Sequence, residues 1–253
     1  MKKSFVWTEK TKDPVDNKVR NELREHLISI RSQIQNNNYN EYLRDVIKNK
    51  TVLDIGICEH TKERIHNKNW KHKYIMENSK SCVGIDIDSD LIDYVKNTYP
   101  KNRFIECDAT SDKNLKLKFD VIHVGDVIEH IDNLSGLFKF CKRHLSKEGK
   151  VIMRTPNGYC FNYVYLANKY GTDNSNMEHV SYVFPTHALE LARRHKMYLS
   201  SYLVQYKKGF TIKGILKSCW LITKLKFRHA IAELFFKPEK YSTIYVYEFE
   251  NAS

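Results

Sequence analysis

The sequence predicts an α/β protein built on a doubly wound, mostly parallel sheet of seven strands, and three observations carry that expectation. Short apolar runs at residues 51–55, 82–87, 103–107, 119–124 and 150–154 alternate with stretches of helical periodicity. This is the pattern of parallel strands buried on both faces and joined by crossover helices. Several runs end on an acid or a glycine, as in VLDIG at 52–56 and VGIDID at 83–88, where the chain turns at the carboxyl edge of the sheet and opens a ligand crevice. Two later runs of strand composition, 199–206 and 242–249, are expected to close one edge as an antiparallel hairpin.

Before the first strand, Val19, Leu23, Leu27 and Ile30 recur at helical spacing, and Tyr42, Leu43 and Ile47 resume it after the polar Gln35-Asn36-Asn37-Asn38. Residues 1–48 are therefore read as an N-terminal helical cap, and 49–253 as the main domain. Residues 161–170 and 186–195 read as helices. Residues 207–240 are too long for a turn and are read as an inserted helical element. With 253 residues, 42% of them hydrophobic, the chain has enough material for one good core. No run approaches the roughly eighteen apolar residues that span a bilayer, and Met1-Lys2-Lys3-Ser4 leads into charge rather than an apolar signal core. The six cysteines lack a C-x-x-C pair, which reads as reduced thiols. A cytoplasmic protein is expected. The net charge of +12 favours an anionic partner.

The strand ends describe a nucleoside pocket. In the first, Gly56 allows a tight turn, but the two further glycines of a dinucleotide fingerprint are missing, so a pyrophosphate cradle is disfavoured. Asp86, closing the second, can accept both hydroxyl hydrogens of a ribose. Asp108, in the third, can accept from an adenine amino group. S-adenosylmethionine fits a pocket with these groups and no pyrophosphate site.

The ordered set VLDIG, VGIDID, ECDA (106–109), FDVIHVGDVIEHI (119–131), LSKEGKVIMRTPN (145–157) and EHVSYVFP (178–185) resembles the class I S-adenosylmethionine-dependent methyltransferases, with their Rossmann-like sheet. The resemblance is to the branch of ubiquinone-biosynthesis O-methyltransferases and small-molecule and glycan enzymes. It implies Asp54 and Gly56 beside the methionine part, Asp86 at the ribose and Asp108 at the adenine. Ile57, Ile87, Ala109 and Gly125 are expected to line the same pocket. The glycine-rich turn of the family is reduced here to Gly56-Ile57-Cys58, and residues 59–81, carrying Trp70, His72 and Tyr74, exceed a simple connecting helix.

Methyl transfer is an in-line displacement at a sulfonium, so the enzyme positions the acceptor and, for a hydroxyl, helps remove a proton. Asp126, Glu129 and His130 stand at i, i+3 and i+4, one face of a helical turn, pointing into the cleft. His130 can serve as general base, with Glu129 as its catalytic companion. Alternatively Asp126, Glu129 and His130, joined by His179, can hold Mg²⁺ or Mn²⁺. That run with a downstream histidine resembles the metal pattern of some ubiquinone-pathway and small-RNA ribose methyltransferases. A third reading has Glu129 and His130 brace the turn. Thr155-Pro156-Asn157 closes the fifth strand, with Asn157 expected at the acceptor mouth. Base N-methylation is disfavoured, because Gly125-Asp126-Val127-Ile128 stands where those enzymes carry Asn/Asp-Pro-Pro-aromatic.

Residues 207–228 hold seven basic residues and no acid, with Lys213, Lys217, Lys224 and Arg228 beside an apolar helical face. That face can lie on an anionic membrane at its inner surface, hold a phosphorylated or lipid-linked acceptor, or pack on the domain or a second subunit in a homodimer. The leading expectation is O-methylation of a small-molecule or glycan acceptor. The alternatives are an RNA ribose 2′-O-methyltransferase, disfavoured because no RNA-binding appendage is recognisable, and a non-catalytic S-adenosylmethionine-binding protein.

Overall fold

Eight strands form one sheet in the computed structural model, which describes residues 5–35, 38–58, 61–67, 69–172, 176–206 and 242–252. In chain order they are β1 (Arg31–Gln35), β2 (Thr51–Ile55), β3 (Ser81–Asp86), β4 (Arg103–Glu106), β5 (Phe119–Gly125), β6 (Leu145–Pro156), β7 (Met197–Tyr206) and β8 (Ile244–Asn251). Across the sheet the order is β4-β3-β2-β5-β6-β8-β7-β1. The pairs from β4 to β6 are parallel, whereas β8 runs antiparallel to both β6 and β7, so the expected C-terminal hairpin is present, with β1 beyond it at the edge.

The seven predicted strands are present, and the eighth is a correction. Helix α1 (Asn17–Ile30) is capped by Asp16, whose side chain accepts from Val19 N at 3.0 Å. Beyond Ile30 the chain extends instead of remaining helical, and β1 pairs in parallel with the outer edge of β7 before α2 (Tyr39–Ile47) begins. A short, mostly polar run such as Arg31-Ser32-Gln33-Ile34-Gln35 suits an edge position, where one face and one side meet water. The basic insertion at 207–240, with the membrane, acceptor and subunit contacts expected of it, lies outside the described residues. Among the described residues no helix is long and apolar enough to cross a membrane. Cys58, Cys82, Cys107 and Cys141 carry free thiols.

Helices α2, α4 (Lys71–Asn78) and α5 (Ser89–Thr98) cover one face of the sheet. Helices α1, α6 (Leu134–His144) and α8 (Pro185–Arg194) cover the other; the short α3 (Lys62–Ile65) joins the first face through the buried Ile65, and α7 (Phe161–Tyr170) follows β6. The larger core joins Leu53, Ile122 and Met153 of the central strands to Phe138 and Phe140 of α6 and to Tyr247 and Phe249 of β8. Phe138 meets Phe249 edge to face, with centroids 5.1 Å apart. Phe138→Ala removes a wholly buried ring and is expected to cost about 3–5 kcal/mol in denaturant unfolding, with the slope unchanged.

Candidate active site

Register sets Gly84, Asp54 and His123 side by side on β3, β2 and β5, on the face covered by α2 and α4. The Asp54 carboxylate, 3% exposed, lies 2.6 Å from His123 Nδ1 and 2.7 Å from His72 Nδ1 of α4. An ionised carboxylate only accepts, so both imidazoles present an Nδ1–H to it. Burial pushes the Asp54 carboxyl up, but His123 and His72 together outweigh it and hold the group at about 2, below its ordinary 3.8. His123 Nε2 lies 3.2 Å from the Tyr39 hydroxyl of α2, and in the neutral tautomer it accepts that proton. His72 fills the space above Gly84, where an added Cβ would come within 2.7 Å of the His72 ring. A glycine in the middle of β3 thus makes room for the second imidazole.

The turn after β2 requires its glycine. Gly56 has φ +78, and a Cβ there would lie 2.2 Å from Val127 Cγ2, so both conformation and space require glycine. In place of further glycines, side chains secure the turn: Trp70 Nε1 donates to the Ile57 carbonyl at 2.8 Å, and Cys58 N donates to Asp86 Oδ2 at 2.8 Å. Trp70 and His72 belong to the long 59–81 segment, whose described part includes α3 and α4.

Two cavities meet at this turn. One, of about 320 Å³, is lined by Gly56, Asp86, Ile87, Asp108 and Ala109, the expected strand-end residues, with Ile131 and His130 on its far side. Ile87 is 72% exposed there, an apolar side chain left open at the pocket. The Asp108 carboxylate turns back on its own loop, accepting from Thr110 N at 2.7 Å. The second cavity, about 440 Å³, holds Asp54, Ile57, Gly125 and the whole group Asp126, Glu129, His130 and His179. Gly56, Cys58, Asp126 and His130 line both.

The chemistry-bearing run departs from the expected helical face. Only Ile128–His130 forms a turn, of 3₁₀ type, and Asp126 precedes it in left-handed backbone, φ +55. Its carboxylate pairs with Arg154 of β6. Glu129, His130 and His179 come together without it, each offering a ligand atom, all within 4.8 Å of one another. The downstream segment is strapped on: Val180 N donates to the Glu129 carbonyl at 2.9 Å, and Tyr247 Oη donates to the Val183 carbonyl at 2.7 Å. His130 and His179 meet edge to face at 4.8 Å. Burial pushes the Glu129 carboxyl, 1% exposed, up to about 7, although Thr155 Oγ1 donates to it at 3.0 Å. Asn157 does not reach the acceptor mouth. It is fully buried, bonded to the Ser242 carbonyl and to Tyr159 N, while Pro156 lines the cavity instead.

The site also contains Tyr39, Lys71, His72, His123 and Arg154, to which the sequence pattern assigns no role. A histidine inside the apolar run FDVIHVG was the available signal, since a buried parallel strand tolerates an imidazole only with a partner.

The chain belongs to the methyltransferase-domain family, whose pattern it matches over residues 31–195. Its cofactor is S-adenosylmethionine. Solved structures share the fold. A TehB-like SAM-dependent methyltransferase from Corynebacterium glutamicum is 17% identical with a TM-score of 0.50, covering 94% of this chain and 100% of its own. A SAM-dependent methyltransferase from Archaeoglobus fulgidus is 15% identical with a TM-score of 0.54, covering 85% and 92%. One from Clostridium acetobutylicum is 11% identical with a TM-score of 0.53, covering 92% and 98%. No curated protein sequence matches the chain.

Asp54→Asn is expected to lower stability at pH 7 by about 2–4 kcal/mol, by removing the charge that two buried imidazoles face. Because the folded-state pKa of Asp54 lies below the unfolded one, the folded chain binds fewer protons between pH 3.8 and 2. The Asp54 contribution is therefore present above that interval and lost as pH falls through it. Chemical denaturation at stepped pH should show the variant with a flatter acid limb than the parent.

Proposed function

We propose that the protein transfers the methyl group of S-adenosylmethionine to a hydroxyl oxygen of a small-molecule or glycan acceptor, at a metal held by Glu129, His130 and His179. The observation that carries this reading is the meeting of those three side chains beside the wall shared by the two cavities. The smaller cavity takes the nucleoside: Asp86 accepts from the ribose hydroxyls, Ile87 and Ile131 flank the adenine, and Asp108 and Ala109 form its edge. The methionine end passes Gly56 toward Ile57, Asp54 and Gly125, which brings the sulfonium to the mouth of the larger cavity.

The reaction forms an O–CH₃ bond as the C–S⁺ bond breaks, and sulfur keeps the electron pair. No covalent step falls on the protein, so its work is alignment and disposal of one proton. One carboxylate and two imidazoles make a mixed O/N donor set, which suits Mn²⁺ better than Mg²⁺, a cation that prefers oxygen and water. Bound there, the metal supplies Lewis acidity that lowers the pKa of the acceptor hydroxyl. Thr155 orients Glu129, and the 178–183 strap holds His179 against His130. A second reading has support of its own: Glu178 Oε2 lies 3.7 Å from His130 Nδ1, and that carboxylate can steady a base that takes the hydroxyl proton directly.

In titration calorimetry S-adenosylmethionine should bind the parent protein, and Asp86→Ala should weaken it about tenfold or more. Unchanged affinity would remove the ribose assignment.

On an acceptor found by screening hydroxylated compounds for methyl-donor consumption, chelation should abolish turnover and Mn²⁺ should restore it. Glu129→Ala and His179→Ala should each lower kcat about 100-fold while donor affinity holds. Turnover indifferent to chelation but lost in His130→Ala would favour direct proton removal.

A further inference from the structure

The acceptor cavity carries a cationic floor that the methyl-transfer step does not use. Arg154 projects from the end of β6, on the far side of β5 from the strands that line the donor pocket. Its side chain is 21% exposed, its Nε is buried without a hydrogen-bond partner, and its guanidinium stands over the Tyr39 ring, 5.5 Å from the centroid. Lys71 Nζ lies 5.3 Å from the same centroid and is tied to Asn40 Oδ1. Two cations therefore share one aromatic ring, and that ring is fixed through its hydroxyl to His123 and, behind it, Asp54.

Among the described acids of the cavity, two are engaged away from Arg154. Asp54 is engaged by two imidazoles, and Glu129 belongs to the metal-ligand group. Asp126 meets Arg154 directly, from a backbone conformation that side chains rarely adopt, and its own side chain is 47% exposed. The pair is half open to water on the Asp126 side, so the carboxylate can exchange, whereas the guanidinium is held by its surroundings. A carboxylate docked on a fixed arginine at a cavity wall shows which chemistry the arginine accepts.

We infer that Arg154, with Lys71 across the Tyr39 ring, is an oxyanion subsite that reads a phosphate or carboxylate group on the acceptor, and that Asp126 occupies Arg154 until that group arrives. The inference rests on the methyl-transfer reading, and it makes Arg154 a specificity-determining residue: neutral acceptors leave it on Asp126, while anionic ones displace Asp126 and are anchored beside His130.

The test titrates inorganic phosphate and, separately, acetate into the full chain saturated with S-adenosylhomocysteine, at constant ionic strength against chloride. Saturable binding of at least one is expected, and the preferred anion separates phosphoryl from carboxylate recognition. Arg154→Gln should weaken it about tenfold or more, and Lys71→Gln by a smaller factor. Asp126→Asn, which removes the internal competitor, should tighten it severalfold, a gain that a merely structural arginine does not produce. Absence of anion binding in both the parent and Asp126→Asn overturns the inference, as does unchanged binding in Arg154→Gln. So does loss of S-adenosylhomocysteine affinity in Arg154→Gln with no anion binding by the parent complex, which would assign the arginine to the donor's own carboxylate. Failure of the parent to bind S-adenosylhomocysteine at all would contradict the methyltransferase reading instead.

Discussion

The site depends on one buried carboxylate. An isolated Asp54 in the middle of the sheet would be costly, since a charge removed from water requires compensation in place. Compensation comes from His123 on the neighbouring strand and His72 on α4, and each brings a further consequence. His72 needs the gap left by Gly84. His123 reaches Tyr39 on α2, and Tyr39 supports Arg154 of β6. A single ionised group thus couples β2, β3, β5, β6, α2 and α4, immediately behind the turn at Gly56.

That arrangement explains why the two halves of the cleft differ in construction. The smaller cavity is lined mainly by strand ends and the residues just after them, so the sheet largely sets its shape. The larger cavity draws on α2, α4, β6 and the 176–183 segment, parts of the chain far apart in sequence. Hydrogen bonds from Val180 N to the Glu129 carbonyl and from Tyr247 Oη to the Val183 carbonyl hold the last of these in place. The same side chains that line the larger cavity also brace it, so polar contacts there serve folding and recognition together.

Legibility in the sequence followed the same division. The seven strands and the pocket residues Gly56, Asp86, Ile87, Asp108 and Ala109 were readable, because apolar runs and the residues that end them report local structure. The eighth strand was not, since Arg31–Gln35 gains its partner only through register with β7 and carries one apolar residue. Glu129, His130 and His179 were legible as side chains that meet, but the expected helical face also enlisted Asp126. Left-handed backbone at that residue sends its carboxylate to Arg154. Tyr39, His72, His123 and Arg154 were obscured for another reason. Their roles arise from cross-strand register and the lack of a side chain at Gly84, and neither leaves a periodic trace along the chain.

The central claim is that Glu129, His130 and His179 hold one metal ion beside the donor. Electron paramagnetic resonance of Mn²⁺ added to the protein with S-adenosylhomocysteine tests it most directly, through the nitrogen couplings of coordinated imidazole. The account predicts couplings from two imidazoles, reduced to one in His179→Gln. A spectrum of free aqueous Mn²⁺ unchanged by the protein, or imidazole couplings that persist intact in His179→Gln, would contradict it.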